Sequence, residues 1–252
     1  FTLCGAAPTA LEVALSPRDD QSVRLFMVPQ KDRKRFNLQN TKYKREDRWA
    51  NYIKGVISVL NGRGYFPSAF NLTLSGDLLK REGTMTNSAI VLGVTLALVK
   101  YFKYDLSEEE CATIAYSALS TFSAEECRLI IFLAMLHVDS TSLLLFDVQY
   151  LKYEKIPIDN LDDEIVPLLV ESQIAPQALQ EELSIRRGES REAFKLLRAL
   201  FPTGLIRDIP QQEIREMVGQ LTEDEKRLCI YVLGESRLAY EGGRLLAQKD
   251  MV

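Results

Sequence analysis

Histidine occurs once and cysteine four times, so the residues that most often hold soft metals or run acid–base chemistry at neutral pH are scarce. Cys4, Cys111, Cys127 and Cys229 lie far apart with no C-x-x-C spacing, which excludes a readable zinc cluster or disulfide framework and makes a reducing cytoplasm the expected compartment. His137 follows Leu133, Met135 and Leu136 at the end of an apolar run, where a structural or helix C-terminal role suffices. Charge of one sign is lacking too. The formal net charge is -4, and Lys42, Lys44, Arg45 and Arg48 are interrupted by acids, so no general attraction to nucleic acid or anionic membrane is expected. The longest apolar runs, near Ala89 to Val99 and Leu129 to Leu136, read as too short to span a bilayer. The apolar opening Phe1 to Ala7 lacks the charged n-region and cleavage pattern of a signal peptide.

What is there suits a packed core: 252 residues, 46% hydrophobic and 26% charged, enough for one large domain or two small ones. Three β-type runs open the chain, Thr2 to Cys4, Ala10 to Leu15 and Val23 to Val28, and suggest a meander with a turn at Ser16 to Asp20. The charge run Lys31 to Arg35 reads as a solvated turn. From Asp47, the residues Trp49, Tyr52, Ile53, Val56, Ile57 and Leu60 recur at helical spacing until Asn61-Gly62. Ala69 to Leu74 alternates as a half-buried strand. A helix beginning near Asn87 and running over Ser88 to Tyr101 is apolar on nearly every side, which places it in the interior. Ser107 with Glu110 has capping-box spacing and starts another helix toward Leu119, and Ala124 to Leu136 predicts one more. Leu143 to Asp147 and Ile165 to Val170 read as strands. The acidic stretch Asp159 to Glu164 marks a boundary, with mostly helix beyond it.

The run Asp47-Arg48-Trp49-Ala50-Asn51-Tyr52-Ile53-Lys54-Gly55-Val56-Ile57 resembles the segment preceding the phosphate loop of galactokinases, in the GHMP kinase superfamily. Further matches follow in the same order: Arg18-Asp19-Asp20 with Val23-Arg24, Leu144-Leu145-Phe146-Asp147, Arg186-Arg187 with Gly188-Glu189, and Gly234-Glu235-Ser236-Arg237. The resemblance implies an α/β (α+β) fold, with a GHMP-kinase N-terminal-like domain over 1–158 and an incomplete, mainly helical lobe over 159–252. ATP and Mg2+ are the cofactors it implies, and a nucleotide and a monosaccharide the ligands. Neither nucleic acid nor membrane is an expected partner.

Where the family carries a G-L-S-S-S-A loop, this chain reads Thr84-Met85-Thr86-Asn87-Ser88-Ala89. In such a loop the free N–H groups and the dipole at a helix N-terminus receive phosphate. Thr86, Asn87 and Ser88 are the nucleotide-binding candidates, and Ser88 is the sole candidate metal ligand. The same residues serve equally well as plain helix caps. Trp49 takes the place beside adenine, although its spacing with Tyr52, Ile53 and Val56 also makes it a core residue.

Four positions depart from the resemblance. Leu119 stands at the magnesium-ligand position and Ile131 at that of the catalytic base, and neither side chain can ligate a hard cation or accept a proton. Arg128 and Leu183 stand at the sugar-contact positions. Glu125, Glu126 and Asp139 are the carboxylates nearest Ile131 in sequence, and none lies within one residue of it. The family's G-E-H-T-D segment would precede residue 1, and its late glycine-rich motif would follow residue 252. Two readings therefore stand: a degenerate galactokinase homologue that retains ligand binding, or an active ATP-dependent galactokinase or related monosaccharide kinase. They differ in whether phosphoryl transfer takes place.

Overall fold

Strict alternation makes the strands nearest the site. Val23, Leu25 and Met27 of β3 (Ser22–Met27) are buried while Arg24 is exposed, and β5 (Phe70–Ser75) buries Phe70, Leu72 and Leu74 in the same way. The computed structural model describes residues 1–80, 84–158, 176–202, 204–217, 219 and 221–248, with the backbone alone for 84 and 176–181. The chain divides into two compact units, Ala6–Val138 and Phe1–Gly5 with Asp139–Val252. The compositional change read from the sequence lies near residue 160. Mixed helix and sheet is the fold class expected.

In the Ala6–Val138 unit the sheet order is β2-β5-β3-β4, with β2 at Glu12–Pro17 and β4 at Asp32–Asn37. β3 and β5 run parallel, and the other pairs are antiparallel. The expected opening meander is corrected: β5 separates β2 from β3, and β1 (Thr2–Cys4) lies in the other unit's sheet. The run Lys31 to Arg35 is corrected as well. Its residues supply most of β4, an edge strand whose mostly basic side chains alternate between faces, a composition that discourages pairing with a second basic strand such as β4 of another copy.

One face of this sheet packs against helices. α1 (Ala50–Gly62) buries Ile53, Val56, Ile57 and Leu60, following a 3-10 turn at Arg45–Asp47. α2 spans Thr84–Phe102 and puts Ile90, Val91, Val94 and Leu98 into the shared core. Its window Met85–Phe102, 18 residues at mean hydropathy 1.4, is long and apolar enough to cross a membrane, which corrects the expectation that no such run exists. Packing supplies its partners here, from β2, α1 and the two helices that follow. α3 (Glu108–Ser117) begins with the capping box at Ser107 and Glu110 and continues into a π-helical turn at Ala118–Phe122. α4 is Leu129–His137, shorter than the expected Ala124 to Leu136. Ala124 takes φ 53, in the left-handed region, so the helix cannot start there, and residues 124–128 belong to neither helix nor strand.

In the second unit β1, β6 (Ser142–Asp147) and β7 (Lys152–Pro157) form an antiparallel sheet in the order β1-β6-β7. Helices α5 (Pro176–Leu200), α6 (Gln211–Glu216) and α7 (Glu223–Gln248) follow. α7 lies close to the sheet at Gly243, where an added Cβ would come within 3.0 Å of Leu145 Cδ2. Arg207 ties the turn Ile206–Asp208 to the end of β6 by an ion pair with Asp147 at 2.8 Å. The expected strand Ile165 to Val170 lies outside the described residues.

Candidate nucleotide site

The sequence places α1, the first turn of α2 and the chain after the π-helical turn in one unit, and three polar side chains from these segments meet. The Tyr52 hydroxyl donates to Glu125 Oε1 at 2.7 Å, and Asn87 Nδ2 donates to Glu125 Oε2 at 2.8 Å. Burial, reinforced by the Glu125 carboxylate, keeps the Tyr52 hydroxyl protonated far above the usual phenol range. Burial, and secondarily the same charge, pushes the Cys127 thiol up to about 11. A carboxylate beside the first turn of a helix is favourably placed against the positive end of the dipole. Ser123, two residues before Glu125, has a buried Oγ with no hydrogen-bond partner among the described residues.

Thr86, Asn87 and Ser88 lie inside α2, because the helix has already begun at Thr84; none of them is its N-cap. Thr86 is buried and Ser88 is 0% exposed, whereas Met85 at the same turn is 56% exposed. Ser88 therefore does not present its hydroxyl to an incoming cation. Among the described residues no group of three or more His, Cys, Asp or Glu could hold a metal ion. Glu125 is one carboxylate, and both of its oxygens already accept hydrogen bonds. Magnesium at a nucleotide is usually held by one or two carboxylates, with phosphate and water oxygens completing its shell, and Glu125 is the carboxylate of this cluster that would hold it.

Trp49 precedes α1 and is half-buried against the core, with its indole Nε1 donating to Asp32 Oδ2 of β4 at 2.8 Å. Lys54, one turn into α1, is 1% exposed; its Nζ binds Asp47 and the Lys42 carbonyl and lies 5.4 Å from the Phe36 ring centroid. The segment 42–47 is held against α1 by these contacts. The resemblance-bearing stretch around Asp47 and Lys54 thus has a packing role of its own.

Leu119 is 1% exposed in the core, within the π-helical turn. Ile131 is half-buried in the first turn of α4, and Arg128 is its exposed N-cap. Leu183 is on α5 of the other unit, 39% exposed. The geometry brings together Asn87, Tyr52 and Glu125, of which only Asn87 was a candidate from the sequence. Glu125 and Tyr52 carried no readable signal, since the acid's partners lie 73 and 38 residues away in the chain.

No protein-family model matches this chain. Curated relatives do. A galactokinase of Chloroflexus aurantiacus is 27% identical over 253 residues, covering 100% of this chain and 64% of its own length. One of Roseiflexus sp. is 25% identical, covering 100% of this chain and 63% of its own length. This chain therefore spans less than two thirds of those relatives. Among solved structures, Lactococcus lactis galactokinase complexed with galactose superposes with TM-score 0.80 at 18% identity, covering 98% of this chain and 64% of that one. A D-glycero-D-manno-heptose 1-phosphate kinase gives TM-score 0.54 at 12% identity, over 95% of this chain and 62% of that one. With a mixed helix-and-sheet fold shared with these kinases, and matches running along its whole length, the chain is a relative of the galactokinases and of the GHMP kinases.

Proposed function

We propose that this chain is a cytoplasmic galactokinase homologue that does not transfer phosphate and acts by binding a nucleotide or a monosaccharide. The observation that carries the reading is the hydrocarbon at both chemical positions. Leu119 is sealed in the core and Ile131 is aliphatic, so neither a cation ligand nor a proton acceptor stands there. Glu125 adds to it. Its carboxylate sits at the α2 turn where the resemblance puts nucleotide phosphates, and an anion there weakens the hold on the triphosphate, so that a nucleotide binds without being seated for transfer. Removing one catalytic group from an enzyme of this kind commonly costs orders of magnitude in rate.

A second reading, an active sugar kinase, draws support from the same residue. Glu125 is a carboxylate at the expected turn, supplied from a different chain position than the family's. The two readings give opposite signs for one substitution. If Glu125 opposes phosphate, Glu125→Gln tightens ATP binding, by about tenfold for the loss of one unit charge in a partly solvated site. If it serves catalysis, the same change weakens magnesium-dependent ATP binding and removes ADP release. Calorimetric titration of wild type and Glu125→Gln with ATP, with and without magnesium, separates them.

A further inference from the structure

The outward face of the Ala6–Val138 sheet carries a group of arginines of which only Arg24 belongs to the segments that match the galactokinases. Arg24 of β3 stands directly opposite Arg35 of β4, and Phe26 opposite Arg33. All three arginines are exposed, and the Arg33 guanidinium lies 5.2 Å from the Phe26 ring centroid. Like charges directly opposite on neighbouring strands are destabilising unless an anion lies between or beside them. Among the described residues no carboxylate makes an ion pair with Arg24, Arg33 or Arg35, and Asp20, whose charge Arg24 feels, is already paired with Arg18. The chain as a whole is acidic, at net -4, so this basic patch runs against its background.

Edge protection explains charges on β4 itself but not Arg24, which lies in an interior strand. β4 has a single strand neighbour among the described residues, so one row of its backbone N–H and C=O groups is available for pairing. Arg33 and Arg35 are two residues apart on one face, roughly 7 Å along the strand, which is the repeat of alternate side chains in an extended peptide. Three cations neutralise too few phosphates to hold a nucleic acid at physiological salt. We infer that an extended acidic segment of another protein pairs along β4, its alternate carboxylates meeting Arg33 and Arg35, with Arg24 strengthening the positive field at Arg35.

The test is fluorescence anisotropy on the full chain with a labelled peptide of alternating Glu and Thr. Alternating Glu-Pro and Lys-Thr peptides and a single-stranded oligodeoxynucleotide serve as comparisons. The wild type is expected to bind the Glu-Thr peptide and not the Lys-Thr peptide, more weakly as salt is added. The combined variant Arg24→Gln, Arg33→Gln and Arg35→Gln is expected to bind about tenfold more weakly, from two exposed charge pairs and the added field of Arg24. Its thermal midpoint should not fall, because the opposed pair Arg24 and Arg35 is relieved. The Glu-Pro peptide, with fewer backbone donors, should bind more weakly than the Glu-Thr peptide. No binding by wild type, equal binding by the triple variant, or equal binding of the Glu-Pro peptide would overturn the proposal. Tighter binding of the oligonucleotide would overturn its partner class.

Discussion

The two units bury their apolar residues in different ways. In Ala6–Val138 one core joins β3 and β5 to α1, α2, α3 and α4, with Val23, Phe70, Ile57, Leu98 and Phe132 all sealed from water. In the other unit a separate helical cluster forms around Ala193, Leu197, Ile214 and Cys229. Resemblance to the galactokinases is carried differently in the two. Asp47, Trp49 and Lys54 are fixed by contacts within the first unit, whereas Arg186 and Arg237 make exposed ion pairs along their own helices, with Glu182 and Glu241. The most legible family segment thus has packing contacts of its own, so its presence does not vouch for catalysis.

Truncations in the two cores should break this comparison most visibly. Phe132→Ala, in the thick core, is expected to cost about 3–5 kcal/mol, and Leu197→Ala, in the helical cluster, about 2–3 kcal/mol, by denaturant unfolding. Equal costs would make the helical cluster the tighter of the two, since Leu→Ala removes fewer carbons than Phe→Ala. Gly55→Leu should follow at about 3 kcal/mol, because a Cβ on Gly55 already comes within 3.0 Å of the Ala118 carbonyl and 3.1 Å of the Phe122 ring. A loss below 1 kcal/mol, on the order of a surface change, would contradict that close crossing.

Thiol chemistry sharpens the comparison without altering the sequence. Burial pushes Cys111 and Cys229 up to about 11, so in the folded state both stay protonated thiols at neutral pH and react with iodoacetamide more slowly than a free thiol. Both are sealed, so reaction also waits on local opening. Cys229 is expected to be alkylated before Cys111, as followed by peptide mass spectrometry; the reverse order would make the first unit the looser one. The smallest effects come from the charges. Lys54→Met should cost about 2 kcal/mol, since it strands the Lys42 carbonyl and Asp47. Arg237→Ala, which removes an exposed helix pair, should cost about 0.5 kcal/mol or less.

Much of the first unit was legible in the sequence because its signals are periodic or local. The apolar stripe of α1, the alternation of β5 and the Ser107 capping box each need only a few neighbouring residues. Elements whose composition opposes their structure were not legible. β4 is dominated by Asp32 through Arg35 and reads as a solvated turn, yet pairing with β3 holds it extended. The start of α4 depends on Ala124 adopting a positive φ, which alanine gives no reason to expect. Thr86, Asn87 and Ser88 were named from resemblance, and their place inside α2 and the burial of Thr86 and Ser88 come from packing that no local signal announces. Glu125 joins them only through contacts that fold the chain back on itself.

The proposed loss of phosphoryl transfer is tested most directly by ADP release from magnesium-ATP, in the presence and absence of galactose, on a protein that spans the full length of its relatives. The account predicts release no faster with galactose than without it, and no faster than the protein-free blank. Galactose-dependent release would contradict it, and would mean that another group, with Glu125 the first to examine, does the work denied to Leu119 and Ile131.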